Sequence, residues 1–135
     1  MKQKKFSFKS RLESFKYAFN GFRTLFLEEH NARIHLFIAL IIIFAGFYYN
    51  LSNIEWLFII LCIGFVFFAE LVNSSIENIA DFISPEKHNS IKKVKDLAAA
   101  AVLTSAITSV IIGLIIFLPK IFSLNSNFFT YFNID

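Results

Sequence analysis

Residues 97–119, LAAAAVLTSAITSVIIGLIIFLP, form the stretch of sequence that decides the fold. This stretch carries no charged side chain, and at about 1.5 Å per residue a helix of its length crosses a hydrocarbon core of roughly 30 Å. Pro119 and Lys120 stand at its end, where proline stops a helix and lysine favours water. We therefore predict a membrane-spanning helix over residues 93–119 and a C-terminal tail over residues 120–135.

Two further apolar runs precede this stretch. Residues 36–54 contain no charged side chain, and residues 56–69 are apolar as far as Glu70. No Pro or Gly interrupts the chain between Glu70 and Ser84, so the second run should remain helical beyond the membrane. These runs predict helices over residues 33–54 and 56–83. The expected fold is an all-α membrane protein with three transmembrane helices in a single domain, residues 1–135.

The composition agrees with a membrane protein. Hydrophobic residues make up 56% of the 135 residues, charged residues make up 17%, and the mean hydropathy is +0.61. Such a chain is too apolar for an ordinary soluble domain, which excludes a disordered chain, a disulfide scaffold and a nucleotide-binding α/β domain. The single cysteine, Cys62, lies in an apolar run and is predicted to have a packing role. We assign the net charge of +3 to membrane orientation, so no nucleic-acid partner is expected.

The basic residues alternate along the chain. Most of the 13 Lys and Arg residues precede the first predicted span, residues 50–55 contain none, and a further group lies within residues 87–95. By the positive-inside rule, the N-terminus and the loop over residues 84–95 are predicted to be cytoplasmic. The turn at residues 50–55 and the C-terminus are predicted to lie outside.

The segment before the first span has the pattern of an amphipathic helix. Apolar residues recur at alternating steps of four and three, which places them on one helix face: Phe8, Leu12, Phe15, Phe19, Phe22 and Phe26. Basic residues occupy other faces. This pattern is typical of a helix lying in the membrane interface. We predict such a surface helix over residues 7–30, with packing against its own bundle as the alternative.

Polar residues continue along one face of the second predicted span. At 100° per residue, the side chains of one group project within about 60° of Glu70: Glu70, Asn73, Ser74, Glu77 and Asp81. We call this group the acidic stripe. Ionisable groups at membrane depth cost several kcal/mol unless they are paired or hydrated. Because its three carboxylates repel one another, the stripe indicates a bound cation or strong donors rather than a purely structural role.

Two neighbouring segments offer partners for the acidic stripe. Glu28 and Glu29 precede the first span on the same predicted side, and Lys95 and Asp96 begin the third span at the same depth. Mg²⁺ prefers oxygen ligands and leaves positions for water and substrate phosphates, so this pattern favours a magnesium-bound nucleotide. The chain has no glycine-rich phosphate loop, so the metal, cations and carboxylates must hold the nucleotide. The residue pattern alone does not choose between Glu28 and Glu29.

The third span also carries a packing pattern. Small residues recur at every fourth position, which makes a smooth face for close helix approach: Ala101, Ser105, Ser109 and Gly113. Since three spans enclose little on their own, we expect the chain to form oligomers.

The motif ELVNSSIE at residues 70–77, followed by Asp81, His88 and Lys95-Asp96, resembles the signature of the prokaryotic diacylglycerol kinase family. The resemblance extends over residues 10–119 and also includes Gly21, Arg23, Glu29 and Arg33. It implies a small integral membrane kinase of the bacterial inner membrane that phosphorylates a lipid alcohol with MgATP. It also implies a homotrimer whose active sites are shared between neighbouring subunits.

The resemblance further implies roles for individual residues. Glu70 would be the catalytic general base on the lipid hydroxyl, and Glu29 and Glu77 would hold Mg²⁺ against the ATP phosphates. The nucleotide would be bound by Asn73, Glu77, Asp81, Lys95 and Asp96. The choice of Glu29 over Glu28 depends on the family register alone.

Two segments resemble the undecaprenol kinase branch of this family. The sequence Arg33-Ile34-His35-Leu36 lacks the acidic residue that enterobacterial diacylglycerol kinases have shortly after the arginine, and Ser84-Pro85-Glu86 precedes the loop. The lipid is therefore diacylglycerol or undecaprenol, both of which offer a primary hydroxyl. His35, like the other two histidines, lacks the spacing of a zinc site and is interpreted as an interfacial or hydrogen-bonding residue.

Two other classes of protein are alternatives. A small proton-coupled membrane transporter would also use a membrane-embedded Glu70, but its carboxylate should lie near the bilayer midplane. A non-catalytic assembly factor would use the acidic stripe structurally and bind no Mg²⁺. The predicted position of the acidic residues at the cytoplasmic end of the span favours the kinase.

Overall fold

The structure, a computed structural model, describes the backbone of residues 8–84, 86 and 88–132 and the side chains of residues 11–84, 86 and 88–122. This part of the chain forms four α-helices: α1 (Phe8–Glu28), α2 (His30–Tyr48), α3 (Asn53–Ile83) and α4 (Asn89–Phe132). Among the described residues, α2, α3 and α4 as far as Phe122 are long and apolar enough to cross a membrane. The prediction of an all-helical protein with three such helices is confirmed. The predicted helix start at residue 7, residues 85 and 87 of the predicted loop and residues 133–135 of the predicted tail lie outside the described residues.

α1 and α2 are separated by a single residue. Glu29 has an extended backbone, with φ −96° and ψ 116°. Its amide still donates to the Leu25 carbonyl at 2.9 Å, and both Leu25 and Ala32 are almost completely buried on either side of the break. The predicted boundaries at residues 30 and 33 therefore differ from those found, because the burial of these two residues sets where the chain turns.

The turn between α2 and α3 is formed by residues 49–52. Asn50 has a positive φ of 50°, a left-handed conformation that asparagine adopts at less cost than most residues. Ser52 and Glu55 form a capping box: the Ser52 amide donates to Glu55 Oε2 at 2.7 Å, and the Glu55 amide donates to Ser52 Oγ at 3.4 Å. Because this box starts α3, the turn comes earlier than the predicted boundaries at residues 54 and 56.

α4 continues beyond its predicted end. Residues 120–132, predicted as part of a tail, extend the helix, and Pro119 lies inside it. Proline removes only its own amide hydrogen bond and disturbs the preceding turn, so the residues after it can still be helical. Lys120 Nζ also lies 3.1 Å from Glu55 Oε1, which ties this part of α4 to the first turn of α3.

The other end of α4 also differs from the prediction. The helix begins at Asn89, before the predicted residue 93. The Ser90 amide donates to Nδ1 of His88 at 3.2 Å, and the Lys92 amide donates to the His88 carbonyl at 3.0 Å. His88 therefore acts as a cap, since it accepts from amides that have no partner within the helix.

α3 and α4 lie antiparallel, with ion pairs between them at both ends. Asp81 contacts Lys95 at one end, and Glu55 contacts Lys120 at the other. Near the α2–α3 turn, the space between the helices is filled by a cluster of buried apolar side chains: Leu51, Ile59, Ile116 and Phe117. This apolar end of the bundle is opposite the end at which the acidic stripe reaches the surface.

The outer surface of the bundle is apolar. Large side chains such as Phe44, Ile60 and Ile115 are exposed on α2, α3 and α4. A water-soluble monomer rarely exposes so much continuous apolar surface. The surface therefore suits contact with lipid or with other subunits.

Candidate active site

The acidic stripe becomes less buried along α3. Glu70, Asn73 and Ser74 are 2%, 8% and 6% exposed, whereas Glu77 is half-buried and Asp81 is exposed. The alignment of these side chains follows from the helix itself, since residues three and four apart share a face. The stripe thus leads from the interior of the protein to its surface near the end of α3.

Two oxygen atoms of the stripe are buried without a hydrogen-bond partner among the described residues. They are Glu70 Oε1 and Asn73 Oδ1. Buried polar groups are nearly always paired, and an unpaired one costs about 1–3 kcal/mol, or more if it is charged. Each of the two oxygens is therefore free to accept a hydrogen bond or to bind a cation.

Asn73 also orients another member of the stripe. Its Nδ2 donates to Glu77 Oε1 at 3.0 Å. The two residues are one helical turn apart, which is the spacing at which side chains on a helix meet. This hydrogen bond holds the Glu77 carboxylate and the Asn73 amide in one arrangement, with Asn73 Oδ1 left to accept from elsewhere.

Lys95 on α4 contacts the exposed end of the stripe. Its Nζ donates to both carboxylate oxygens of Asp81, at 2.9 and 3.1 Å. A cavity of about 510 Å³ lies beside this pair, and its lining includes Asp81, Glu86, His88, Lys92, Lys95 and Asp96. Cations and carboxylates lining the same cavity suit a phosphate chain that carries a metal ion.

Glu29 approaches the stripe from the break between α1 and α2. Its charge acts on both Glu70 and Lys95, as does the charge of Glu77. Glu29 is half-buried, whereas Glu28 is exposed. The break therefore brings Glu29 within electrostatic range of the buried and the exposed ends of the site.

The oxygen donors of this region fit magnesium. Within residues 11–84, 86 and 88–122, no group of three or more His, Cys, Asp or Glu side chains is arranged to hold a metal ion. Mg²⁺ usually takes only one or two carboxylates and fills its other positions with water and substrate phosphates. Glu29 and Glu77 would supply two carboxylates.

His35 on α2 contacts the buried end of the stripe. Its Nε2 lies 3.2 Å from Glu70 Oε1, although the orientation of the two groups is not that of a hydrogen bond. The sequence pattern does not predict this contact, because nothing in it distinguishes His35 from the other two histidines as an interfacial or hydrogen-bonding residue. No spacing along the chain indicates the contact, since residues 35 and 70 meet only through the packing of α2 against α3.

An apolar groove of about 460 Å³ adjoins His35 between α2, α3 and α4. Its walls include Ile38, Ile42, Cys62, Ile63, Ser109 and Gly113. Cys62 is half-buried there, among apolar neighbours. The groove and the acidic stripe therefore meet at His35 and Glu70.

These features define a class of protein: a small helical membrane protein with a polar site that opens at one end of its bundle and adjoins an apolar groove. The chain belongs to the prokaryotic diacylglycerol kinase family, whose sequence profile matches residues 16–117. The matched region contains the acidic stripe, Glu29, Lys95 and Asp96.

Individual relatives agree with this assignment. The chain is 42% identical over 109 residues to the undecaprenol kinase of Bacillus subtilis, covering 81% of this chain and 89% of that protein. It is 35% identical over 114 residues to the diacylglycerol kinase of Synechocystis, covering 84% of this chain and 65% of that protein. It is also 35% identical over 100 residues to a diacylglycerol kinase of Helicobacter pylori, covering 74% of this chain and 78% of that protein.

The chain is therefore an enzyme, a membrane lipid kinase of the diacylglycerol kinase or undecaprenol kinase type. The family resemblance drawn from the ELVNSSIE motif is confirmed.

Proposed function

We propose that the chain transfers the γ-phosphate of MgATP to the primary hydroxyl of a membrane lipid alcohol at the cytoplasmic interface. The observation that carries this proposal is the buried Glu70 carboxyl group at the inner end of the acidic stripe, whose Oε1 accepts no hydrogen bond among the described residues. The outer end of the same stripe adjoins the cavity that contains Lys95. A lipid hydroxyl and a water-soluble nucleotide could meet along such a path.

Glu70 is the general base in this reaction. The hydroxyl oxygen forms a bond to the γ-phosphorus while one Glu70 carboxylate oxygen takes the hydroxyl proton. The bond between the γ-phosphorus and the bridging oxygen breaks, and ADP leaves with its electron pair. Burial of Glu70 supports this role, because it keeps out water that would compete as a phosphate acceptor.

The remaining residues of the site bind and orient the nucleotide. Glu29 and Glu77 would hold Mg²⁺, which neutralises phosphate charge when it is bound. Asn73 orients Glu77, and Lys95 supplies a cation for phosphate oxygens while Asp81 holds it in place. Asp96 lines the same cavity and completes this set. Phosphoryl transfer depends mainly on positioning and charge neutralisation, so these groups suffice.

The lipid is diacylglycerol or undecaprenol. The Bacillus subtilis relative, at 42% identity, is named an undecaprenol kinase, and the Synechocystis relative, at 35%, is named a diacylglycerol kinase. The higher identity and the Arg33-Ile34-His35-Leu36 segment favour undecaprenol. Both lipids present the same primary hydroxyl, so the chemistry is shared.

We also propose that the chain is a homotrimer in the bacterial inner membrane, with shared active sites and a cytoplasmic N-terminus. The exposed apolar surface of α2, α3 and α4 supports assembly. Leu12, Phe15 and Phe19 are exposed on α1, which supports its placement in the membrane interface.

Family membership leaves both alternatives without support. A proton-coupled transporter using Glu70 would not require the cavity lined by Lys92 and Lys95. An assembly factor would not require buried oxygens that accept no hydrogen bond among the described residues.

The test is Mg²⁺-dependent transfer of labelled γ-phosphate from ATP by the purified protein in mixed micelles. Diacylglycerol and undecaprenol are offered separately. We expect Glu70→Gln to remain folded and to lose about 10²- to 10⁴-fold in kcat, the usual contribution of a general base. Glu13→Gln on α1, which also removes one carboxylate, is the matched control and should keep full activity.

Near-normal turnover of Glu70→Gln would remove Glu70 from its catalytic role. Absence of transfer to either lipid by the folded wild-type protein would refute the proposed reaction on these two substrates.

A further inference from the structure

The contact between His35 and Glu70 joins two helices at the buried end of the site. His35 Nε2 lies 3.2 Å from Glu70 Oε1, and the carboxyl group is almost completely buried. A small rotation of the imidazole ring would turn this contact into a hydrogen bond, since the distance already lies at the upper end of the normal range. His35 is therefore placed to supply the donor that Oε1 lacks.

Within the described part of the chain, the other charged groups that act on Glu70 offer no donor. The charges of Glu29 and Glu77 act on Glu70, and both are carboxylates. Lys95 is engaged with both oxygens of Asp81. The imidazole of His35 is thus the basic group that the structure places against this carboxylate.

His35 also lines the apolar groove between α2, α3 and α4. A lipid whose chain lies along the groove would bring its hydroxyl to the end where His35 and Glu70 meet. A residue at this junction can set the direction in which the carboxylate points toward that hydroxyl.

We propose that His35 is a positioning residue for the general base, donating from Nε2 to Glu70 Oε1 so that Oε2 accepts the lipid hydroxyl proton. This role rests on the proposed function, because it requires Glu70 to be the base. His35 itself neither accepts nor releases a proton in the reaction. Its contribution is to restrict the Glu70 carboxylate to one orientation.

The test compares His35→Leu and His35→Gln in the full-length protein, assayed with ATP and the lipid that the wild type accepts. Leucine removes the donor, whereas the glutamine amide can place an N–H near the position of the imidazole Nε2. We expect His35→Leu to lower kcat about 10- to 100-fold, as for loss of one hydrogen bond to a charged group, with KM for ATP changed less than about twofold. His35→Gln should recover most of the lost kcat.

His30→Leu is the matched control, since His30 is an exposed histidine at the start of the same helix. It should leave both kcat and KM unchanged. The double variant His35→Leu/Glu70→Gln should be no slower than Glu70→Gln alone, because a residue that acts through Glu70 has no effect once the base is gone.

Three results would overturn the proposal: an unchanged kcat in His35→Leu, equal losses in His35→Gln and His35→Leu, or independent losses that multiply in the double variant. These outcomes are distinct from failure of the proposed function. If wild-type protein transfers phosphate and Glu70→Gln does not, the base assignment stands whatever His35 does. If Glu70→Gln is fully active, the base assignment fails first.

Discussion

At the scale of single residues, Asn73 is a buried amide with one of its two polar atoms hydrogen-bonded. Its Nδ2 donates to Glu77, and its Oδ1 has no donor among the described residues. A buried amide oxygen without a donor destabilises the protein unless a ligand donates a hydrogen bond to it. Asn73 therefore links the buried part of the acidic stripe with the proposed magnesium ligand.

Replacement of this residue gives a direct prediction. Asn73→Ala removes the donor to Glu77. We expect kcat/KM for MgATP to fall about 10-fold or more, which is the effect of losing one hydrogen bond to a charged group. Steady-state kinetics at varied Mg²⁺ and ATP measure the loss.

Asn78→Ala is the matched control for this change. Asn78 is exposed, and its amide donates to the Ser74 carbonyl at 2.9 Å, away from the carboxylates. The kcat/KM of the Asn78→Ala variant should remain within about twofold of the wild-type value, as for surface substitutions generally. Equal losses in the two variants would contradict a specific role for Asn73.

At the scale of the elements, α2 packs closely against the first turn of α3 at the apolar end. The rings of Phe47 and Trp56 have centroids 4.9 Å apart. A Cβ added at Gly46 would lie 2.7 Å from Trp56 Cη2 and 3.1 Å from Leu51 Cδ1. Glycine is thus required at position 46 because the Trp56 and Leu51 side chains approach the backbone closely there, and not because of an unusual backbone conformation.

Gly46→Ala should therefore destabilise the protein. We expect the free energy of unfolding to fall by about 1–3 kcal/mol, the usual cost of overpacking, because the Trp56 ring must move. Denaturant unfolding of the protein in detergent micelles measures this change.

Gly64→Ala on α3 is the control for the glycine substitution. No atom lies within 4 Å of a Cβ added there, and alanine favours a helix over glycine by about 1 kcal/mol. This variant should match or exceed the wild-type stability. If Gly46→Ala proved as stable as Gly64→Ala, the close packing of Gly46 on Trp56 would be refuted.

At the scale of the whole molecule, the three membrane-capable helices have an apolar exterior. The large side chains of the three spans are mostly exposed, whereas Ser105 on α4 is completely buried. A surface of this kind must be covered by lipid or by copies of the chain.

We expect the purified protein to have three times the 15.6 kDa mass of one chain. Light scattering corrected for bound detergent measures this mass, and denaturation in sodium dodecyl sulfate should return it to that of one chain. A monomer with full kinase activity would contradict the proposed trimer with shared sites.

The parts of the fold that could be predicted are those that depend on neighbours along the chain. Residues 97–119 indicate a span because they contain no charge, and the acidic stripe lines one face of α3 because 3.6 residues per turn place Glu70, Glu77 and Asp81 together. These properties belong to a single helix and need no knowledge of what packs against it. Helix boundaries are predicted less accurately, since Pro119 predicts an end that α4 does not have.

The sequence by itself determined the helical class, the number of membrane-capable helices, the position of the acidic stripe and the enzyme family. Only the tertiary structure decided that Glu29 approaches the stripe from the α1–α2 break, that Lys95 binds Asp81, and that His35 contacts Glu70. Contacts within a helix repeat with a fixed period and can be read from spacing. Contacts between helices depend on how buried side chains fit together across separate elements, and no spacing in the sequence encodes that fit.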